Sequence, residues 1–168
     1  MRAAATERLR FDEVTEADLD DLLAIHVGNP EYAVLTESSQ GEVGRYNRQM
    51  LERDWWLGTL EAARRQLIGR LDDGAAAVWL DLLDRNPNDG HPWIGLLMVE
   101  RGLQGRGLGR EAAGAATDML AGGPAVRAGV LPANRGGLAF WERLGYAEVD
   151  RRGGVIVLQA PVSSDHGE

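Results

Sequence analysis

The chain contains no cysteine, and all 18 of its basic residues are arginine, so lysine is missing as well. Without lysine there is no Schiff-base chemistry, no pyridoxal phosphate held as an imine, and no P-loop whose lysine reaches a nucleotide's phosphates. Without cysteine there is no thiolate nucleophile, no disulfide framework and no cysteine-ligated zinc or iron-sulfur cluster; no metal site is expected. Long apolar runs are absent too, and Met1–Arg10 lacks the hydrophobic stretch of a secretory signal. A cytoplasmic protein without a membrane partner is the expectation. A formal charge of −8 argues against a nucleic-acid partner, because that affinity rests on clustered cations neutralising phosphates. The chemistry left is that of backbone amides, carboxylates, histidine, hydroxyls and arginine.

What is present suits one domain over residues 1–168, with a short flexible tail from about residue 162: 44% of the residues are apolar, enough to bury a core without staples. Charge and glycine are unevenly spread. Residues 1–90 carry 18 acidic and 10 basic side chains, whereas 91–168 carry 8 of each, and 13 of the 22 glycines fall between Gly102 and Gly154.

The pattern predicts a strand over residues 8–14, then a helix through Val27 opened by Thr15 with Asp18 at the capping-box distance. Gly28-Asn29-Pro30 stops that helix, and a second is predicted over about 45–56. Strands over 62–70 and 75–84 flank Asp72-Asp73-Gly74, a hairpin turn. The apolar run Trp93-Ile94-Gly95-Leu96-Leu97-Met98-Val99 reads as a central strand buried on both faces. A helix over about 108–121, a strand over 126–131, a helix from Asn134 to Leu144 with Gly145 after its end, and a hairpin over 149–159 complete an α/β (α+β) domain.

The strongest chemical signal is Gln104-Gly105-Arg106-Gly107-Leu108-Gly109-Arg110, between the buried strand and a helix. Amides converging at a helix N-terminus make a site for a diphosphate, glycines let it approach closely, and Arg106 and Arg110 add donors. The alternative is a tight loop whose glycines serve only strained backbone angles. A dinucleotide-binding unit would need G-x-G-x-x-G and an acid about 20 residues on. Here the spacing is G-x-G-x-G, and the next strand reads Val126-Arg127-Ala128-Gly129-Val130.

Gln104, Gly107 and Gly109 fill the positions of the acetyl-CoA diphosphate loop, Gln/Arg-x-x-Gly-x-Gly/Ala, of the GNAT family of N-acetyltransferases, which the segment resembles. A second block, Val130-Leu131-Pro132-Ala133-Asn134 followed by Leu138-Ala139-Phe140-Trp141-Glu142-Arg143-Leu144-Gly145-Tyr146, is similar to that family's strand, asparagine and "A-F-Y-E-K-L-G-F" helix. The likeness covers roughly residues 60–150. It implies the GNAT fold, a mixed and mostly antiparallel central sheet flanked by helices, with acetyl-CoA as cofactor. It further implies that the buried strand splays from its neighbour, that Leu97, Met98 and Val99 pair with the pantetheine arm, and that residues 104–110, with Arg106 and Leu108 among them, hold the diphosphate. Asn134 would contact the cofactor, cap its helix, or both. The implied reaction is direct attack of a neutral amine on the thioester, with a strand amide steadying the oxyanion and a base relaying the proton.

The sequence departs from the family in one place that matters. Trp141 stands on the cofactor side where relatives often carry a tyrosine that protonates the leaving thiolate, and an indole N–H does not give up its proton. Tyr146 reads as a core aromatic with a satisfied hydroxyl. Asp81 is the candidate base or substrate anchor, against the alternative of an outward or edge-strand acid; His91 and Glu100 are weaker candidates that read as exposed. Acceptor recognition in the family resembles a task for the segment Gly28–Gly58, where Glu31, Tyr32, Glu37, Glu42, Tyr46, Asp54, Trp55 and Trp56 suit a cationic amine by charge and cation-π contact. A solvated acidic loop is the alternative. The expected activity is N-acetylation of a small-molecule amine, by a monomer or a homodimer. A CoA-binding domain without turnover, acting as a sensor or interaction module, is the second reading.

Overall fold

A computed structural model describes residues 2–32 and 46–161. Glu37, Glu42 and the tail from residue 162 lie outside the described residues. Eight strands form one sheet: β1 (Arg2–Ala5), β2 (Arg10–Glu13), β3 (Arg64–Arg70), β4 (Ala76–Leu83), β5 (Trp93–Val99), β6 (Arg127–Val130), β7 (Ala147–Arg152) and β8 (Val155–Gln159). Their spatial order is β1-β2-β3-β4-β5-β6-β8-β7. Every neighbouring pair is antiparallel except β5 and β6, which run parallel. The expected mixed, mostly antiparallel sheet flanked by helices is what the chain forms.

Among the described residues, four helices that lie wholly within them cover the two faces. Helices α1 (Leu19–Val27) and α2 (Arg48–Thr59) close one apolar cluster built on Leu22, Ile25, Leu51, Ile68, Trp79 and Met98. Helices α3 (Leu108–Met119) and α4 (Arg135–Arg143) close the other, over Val78, Leu80, Leu82, Ile94 and Ile156. Alanines at 112, 113, 115 and 116 line the buried side of α3 and let its backbone lie close to the sheet. No described helix is long and apolar enough to cross a membrane.

Boundaries follow the chemistry of the caps. The Asp18 carboxylate accepts from the Thr15 amide at 2.9 Å, closing one turn of 3-10 helix before α1. The helix expected from about residue 45 begins at Arg48 and is capped by Asn47, whose Oδ1 accepts from the Met50 amide at 3.0 Å. Strand β1 escaped the sequence reading, since Arg2-Ala3-Ala4-Ala5 has no apolar alternation.

The expectation that β5 is buried on both faces needs correction. Along β4 its partner runs Asp81↔Leu96 and then Leu82↔Ile94, so Gly95 is an extra residue, a β-bulge. The bulge resets the alternation: Ile94, Leu97 and Val99 face α3 and α4, while Leu96 and Met98 face α1 and α2. On its other edge β5 pairs with β6 only at Trp93↔Arg127 and Ile94↔Ala128. From Gly95 onward the two strands diverge.

Candidate active site

Divergence of β5 from β6 opens a cleft of about 890 Å³. Its walls come from Gly95–Val99 on one side, from Ala128–Leu131 and α4 on the other, and from the glycine-rich turn at the start of α3. Gly105 and Gly107 both adopt the left-handed conformation, with φ of 76° and 81°, a region closed to most side-chain-bearing residues. Gly109 is needed for a different reason: a Cβ there would stand 3.3 Å from the ring of Phe140 and 3.5 Å from Val99. The turn and the positive end of α3 therefore border the cleft at Gly105, Gly107 and Gly109, which carry no side chain.

A second cavity, of about 460 Å³, lies under α1 and α2 and is lined by His26, Tyr46, Asp54, Trp55, Arg64 and Asp81 among others. It shares Tyr32, Gly95 and Leu96 with the cleft. The bulge is thus where the two spaces meet. Asp81 accepts from Arg64 Nε at 2.9 and 3.0 Å and from Arg64 Nη2, and this bonding raises the Arg64 pKa above the usual guanidinium value. Burial, with the Asp81 charge adding to it, pushes the Tyr32 phenol up, so Tyr32 is neutral at physiological pH. Tyr46 donates to Asp54 at 3.1 Å, and the rings of His26 and Tyr46 pack 4.6 Å apart.

A family model described as "Acetyltransferase (GNAT) family" matches residues 31–146, well over half of the chain. The chain belongs to the GNAT acetyltransferase family. No curated protein matches it in sequence. Solved GNAT structures share its fold: an acetyltransferase from Thermus thermophilus is 23% identical with a TM-score of 0.77, covering 95% of this chain and 97% of that one. Spermidine N-acetyltransferase from Vibrio cholerae, solved with CoA and spermine, is 14% identical with a TM-score of 0.70, covering 92% and 94%. An acetyltransferase of Salmonella typhimurium that modifies the N-terminal serine of ribosomal protein L7/L12 is 11% identical with a TM-score of 0.72, covering 95% and 96%.

Most of the residues singled out for the GNAT cofactor converge on the cleft: Leu97, Met98, Val99, Gln104, Gly105, Gly107, Gly109, Arg110, Asn134 and Trp141 all line it. Arg106 and Leu108 do not. Leu108 is turned into the core, leaving only its amide at the turn, and the Arg106 carbonyl accepts from Arg8 at 2.8 Å. The Val99 carbonyl is already engaged, by Asn29 Nδ2 at 3.0 Å and Gln104 Nε2 at 3.1 Å. Because the Glu100 amide donates to the Ala77 carbonyl beside β4, the alternation of an antiparallel pair turns the Met98 backbone to Trp79 of β4, against the expectation for Met98, and leaves that of Leu97 on the cleft edge. Asn134 does cap α4, its Oδ1 accepting from the Gly137 amide at 2.9 Å, and it borders the cleft as well.

Other expectations shift with the geometry. Glu31 lies exposed at the cleft rim, paired with Arg101 at 2.6 Å, and not in the second cavity. Trp56 points to solvent, whereas Trp55 donates to the Val14 carbonyl at 3.3 Å. His91 is not a free loop residue: it is half-buried with Nδ1 2.8 Å from the Ala125 carbonyl. Asp81 sits on a central strand facing α1 and α2, which removes the edge-strand alternative. Tyr146 is the core aromatic expected, with its hydroxyl 2.9 Å from that of Thr117. Sequence reasoning missed Arg64, His26 and Trp79 in the second cavity, none of which lies in a motif. It also missed the bulge, although a lone glycine inside an apolar strand was a signal for one.

Proposed function

We propose that the protein is an acetyl-CoA-dependent N-acetyltransferase that moves an acetyl group onto a primary amine of a small molecule. One observation carries the reading: a cleft floored by the left-handed Gly105 and Gly107 turn shares Tyr32, Gly95 and Leu96 with a second, polar and aromatic cavity. A donor and an acceptor can therefore meet at one strand edge. That similar folds belong to enzymes named for spermidine and for an N-terminal serine supports an amine acceptor.

The residues present fit the cofactor. Amides of residues 105–109 and the N-terminus of α3 hold the diphosphate, Arg110 adds a charged donor, the cleft-side backbone edge at Leu97 orders the pantetheine arm, and Asn134 Nδ2 offers a further donor. Phe140 and Trp141 wall the cleft against water. Bound acetyl-CoA would supply the thioester that the amine attacks. Asp81 presents the acceptor with a carboxylate whose two oxygens both accept from Arg64. That bonding favours anchoring the amine over taking its proton. Tyr32, neutral and half-buried, lines the path between the two spaces.

A CoA-binding module without turnover is the second reading, favoured by Trp141 at the family's acid position and by the withdrawal of Tyr146 to Thr117. One assay separates the two: acetyl-CoA is mixed with a panel of amines and free thiol is recorded. Thiol release with any amine supports the enzyme. Thermal stabilisation by CoA with no release from any amine supports the module, and no stabilisation at all rejects both. With no lysine in the chain, self-acetylation at side-chain amines cannot contribute to the signal.

A further inference from the structure

The turn between β1 and β2 is a hundred residues from the glycine-rich turn in sequence, yet it is fastened to it. Arg8 Nη1 donates to the Arg106 carbonyl at 2.8 Å, and Arg8 Nε donates to Glu111 Oε2 at 2.8 Å. The Arg8 amide donates to Glu111 Oε1 at 2.7 Å, and the Thr6 hydroxyl donates to the same oxygen. Arg8 Nη2 lies 3.3 Å from where a Cβ on Gly107 would stand. No motif in the sequence marks Arg8 or Thr6.

Glu111 occupies the first turn of α3, its amide donating to the Gly107 carbonyl at 3.1 Å. Burial alone would raise its pKa, but the bonds from Thr6 and Arg8 outweigh burial and hold the carboxyl below the usual range, so it is charged at neutral pH. A negative charge in the first turn suits a helix that stands alone. It opposes a helix whose N-terminus receives an anion, because the carboxylate lies about one 5.4 Å turn from the same amides. The contribution of the Arg8 pair to stability is small, since 43% of the Arg8 side chain is exposed.

We propose that Arg8 is a positioning residue for the CoA diphosphate: through the Arg106 carbonyl it fixes the Gly105–Gly107 turn, and through Glu111 it cancels the acidic charge in the first turn of the receiving helix. The inference rests on the reading of the cleft as a CoA site. Arg8 does not line the cleft among the described residues, so it acts on the turn and on Glu111.

Calorimetric titration of CoA into wild type, Arg8→Gln and Arg8→Gln/Glu111→Gln, with steady-state kinetics beside it, tests the inference. Arg8→Gln should weaken CoA about tenfold, the size of one lost charge-assisted interaction, and raise KM for acetyl-CoA while kcat at saturation stays within about twofold. The double variant should regain the part of that loss due to the charge left bare by the first change, because that charge is gone and Gln keeps an oxygen for Thr6 and the backbone amide of residue 8. An S-acetyl pantetheine substrate, which has no diphosphate, should show no change in KM. Unaltered CoA affinity in Arg8→Gln overturns the inference, as does a double variant as weak as the single one. An equal loss for the pantetheine substrate also overturns it, since the effect would then be general to the fold. Wild type that fails to bind CoA rejects the cleft itself, a result distinct from any of these.

Discussion

Replacing Asp81 with asparagine tests the acceptor cavity and the sheet beneath it together. The carboxylate is bound through three contacts to one guanidinium, with 15% of the Asp81 side chain and 30% of the Arg64 side chain exposed. Removing one partner of a buried pair costs about 3–5 kcal/mol, and of an exposed pair about 0–1 kcal/mol. This pair lies between those limits, and Arg64 would keep Glu61 at 3.2 Å, so about 1–3 kcal/mol is the expected loss. For a domain of this length each kcal/mol moves Tm by about 2–4 °C, which gives a fall of roughly 2–12 °C. If Asp81 anchors the amine, the same change removes one charge-assisted contact to it: KM for the amine rises about tenfold while kcat and the KM for acetyl-CoA hold within about twofold. A general base would behave otherwise, with kcat down by about a hundredfold or more at unchanged KM. Thermal melts and initial rates against both substrates measure all of this. Unchanged kinetics with a lowered Tm would reduce Asp81 to a structural ion pair, and an unchanged Tm would mean that the pair with Arg64 contributes nothing.

Gly107→Glu should abolish CoA binding in a protein that still folds: φ of 81° costs a non-glycine residue about 1–2 kcal/mol, and a carboxylate on the turn, its Cβ 3.3 Å from Arg8 Nη2, would compete with the Arg106 carbonyl for Arg8 and repel the diphosphate. Circular dichroism and a CoA titration check it, and near-normal affinity would move the site elsewhere. Asp89 makes a prediction in pH. Burial raises its pKa, but the His91 amide, the Trp93 indole and Arg127 together lower it below 3.8, so its stabilisation is full above that value and fades as pH falls through the depressed folded pKa. The gap in unfolding free energy between wild type and Asp89→Asn, about 1–3 kcal/mol near pH 6, should therefore shrink in urea melts below about pH 4; a gap independent of pH would contradict the assignment.

The cleft and its glycine-rich turn were legible in the sequence because the binding proposed there is done by backbone. A diphosphate turn must be built from glycines at fixed spacing, so Gly105, Gly107 and Gly109 announce it, and Asn134 announces the helix that walls the cleft. Acceptor chemistry is written differently. Arg64, His26 and Asp81 come from three elements and meet only because β3 pairs with β4 under α1, and nothing in the spacing of 26, 64 and 81 foretells that. The same holds for Arg8 and Glu111, joined across the sheet edge by a hairpin whose first strand carries no apolar alternation at all. The acidic bias of residues 1–90 would suit an acceptor-side field for a cationic amine. Much of it is consumed locally: Asp18 and Asp21 by Arg70, Asp20 by Arg48, Asp84 by Arg65 and Glu31 by Arg101. Net charge along a sequence cannot distinguish carboxylates paired within the fold from those offered to a ligand.

Gly95 shows why one residue must serve both halves of the site. Were β5 regular, the alternation begun at Ile94 would send Leu97 toward α1 and α2 and Met98 toward α3 and α4, the reverse of the faces they occupy. The extra residue lets the strand complete both apolar clusters while its edge, freed from β6 beyond Ile94, faces the cleft. Backbone strain does not demand glycine there, since its φ is not positive, and sterics inside the sheet do not either, since a Cβ would meet only the Asp81 carbonyl at an ordinary 3.4 Å. What glycine provides is an opening. Position 95 borders both the cleft and the second cavity, and any side chain on it would project at the junction of the two spaces.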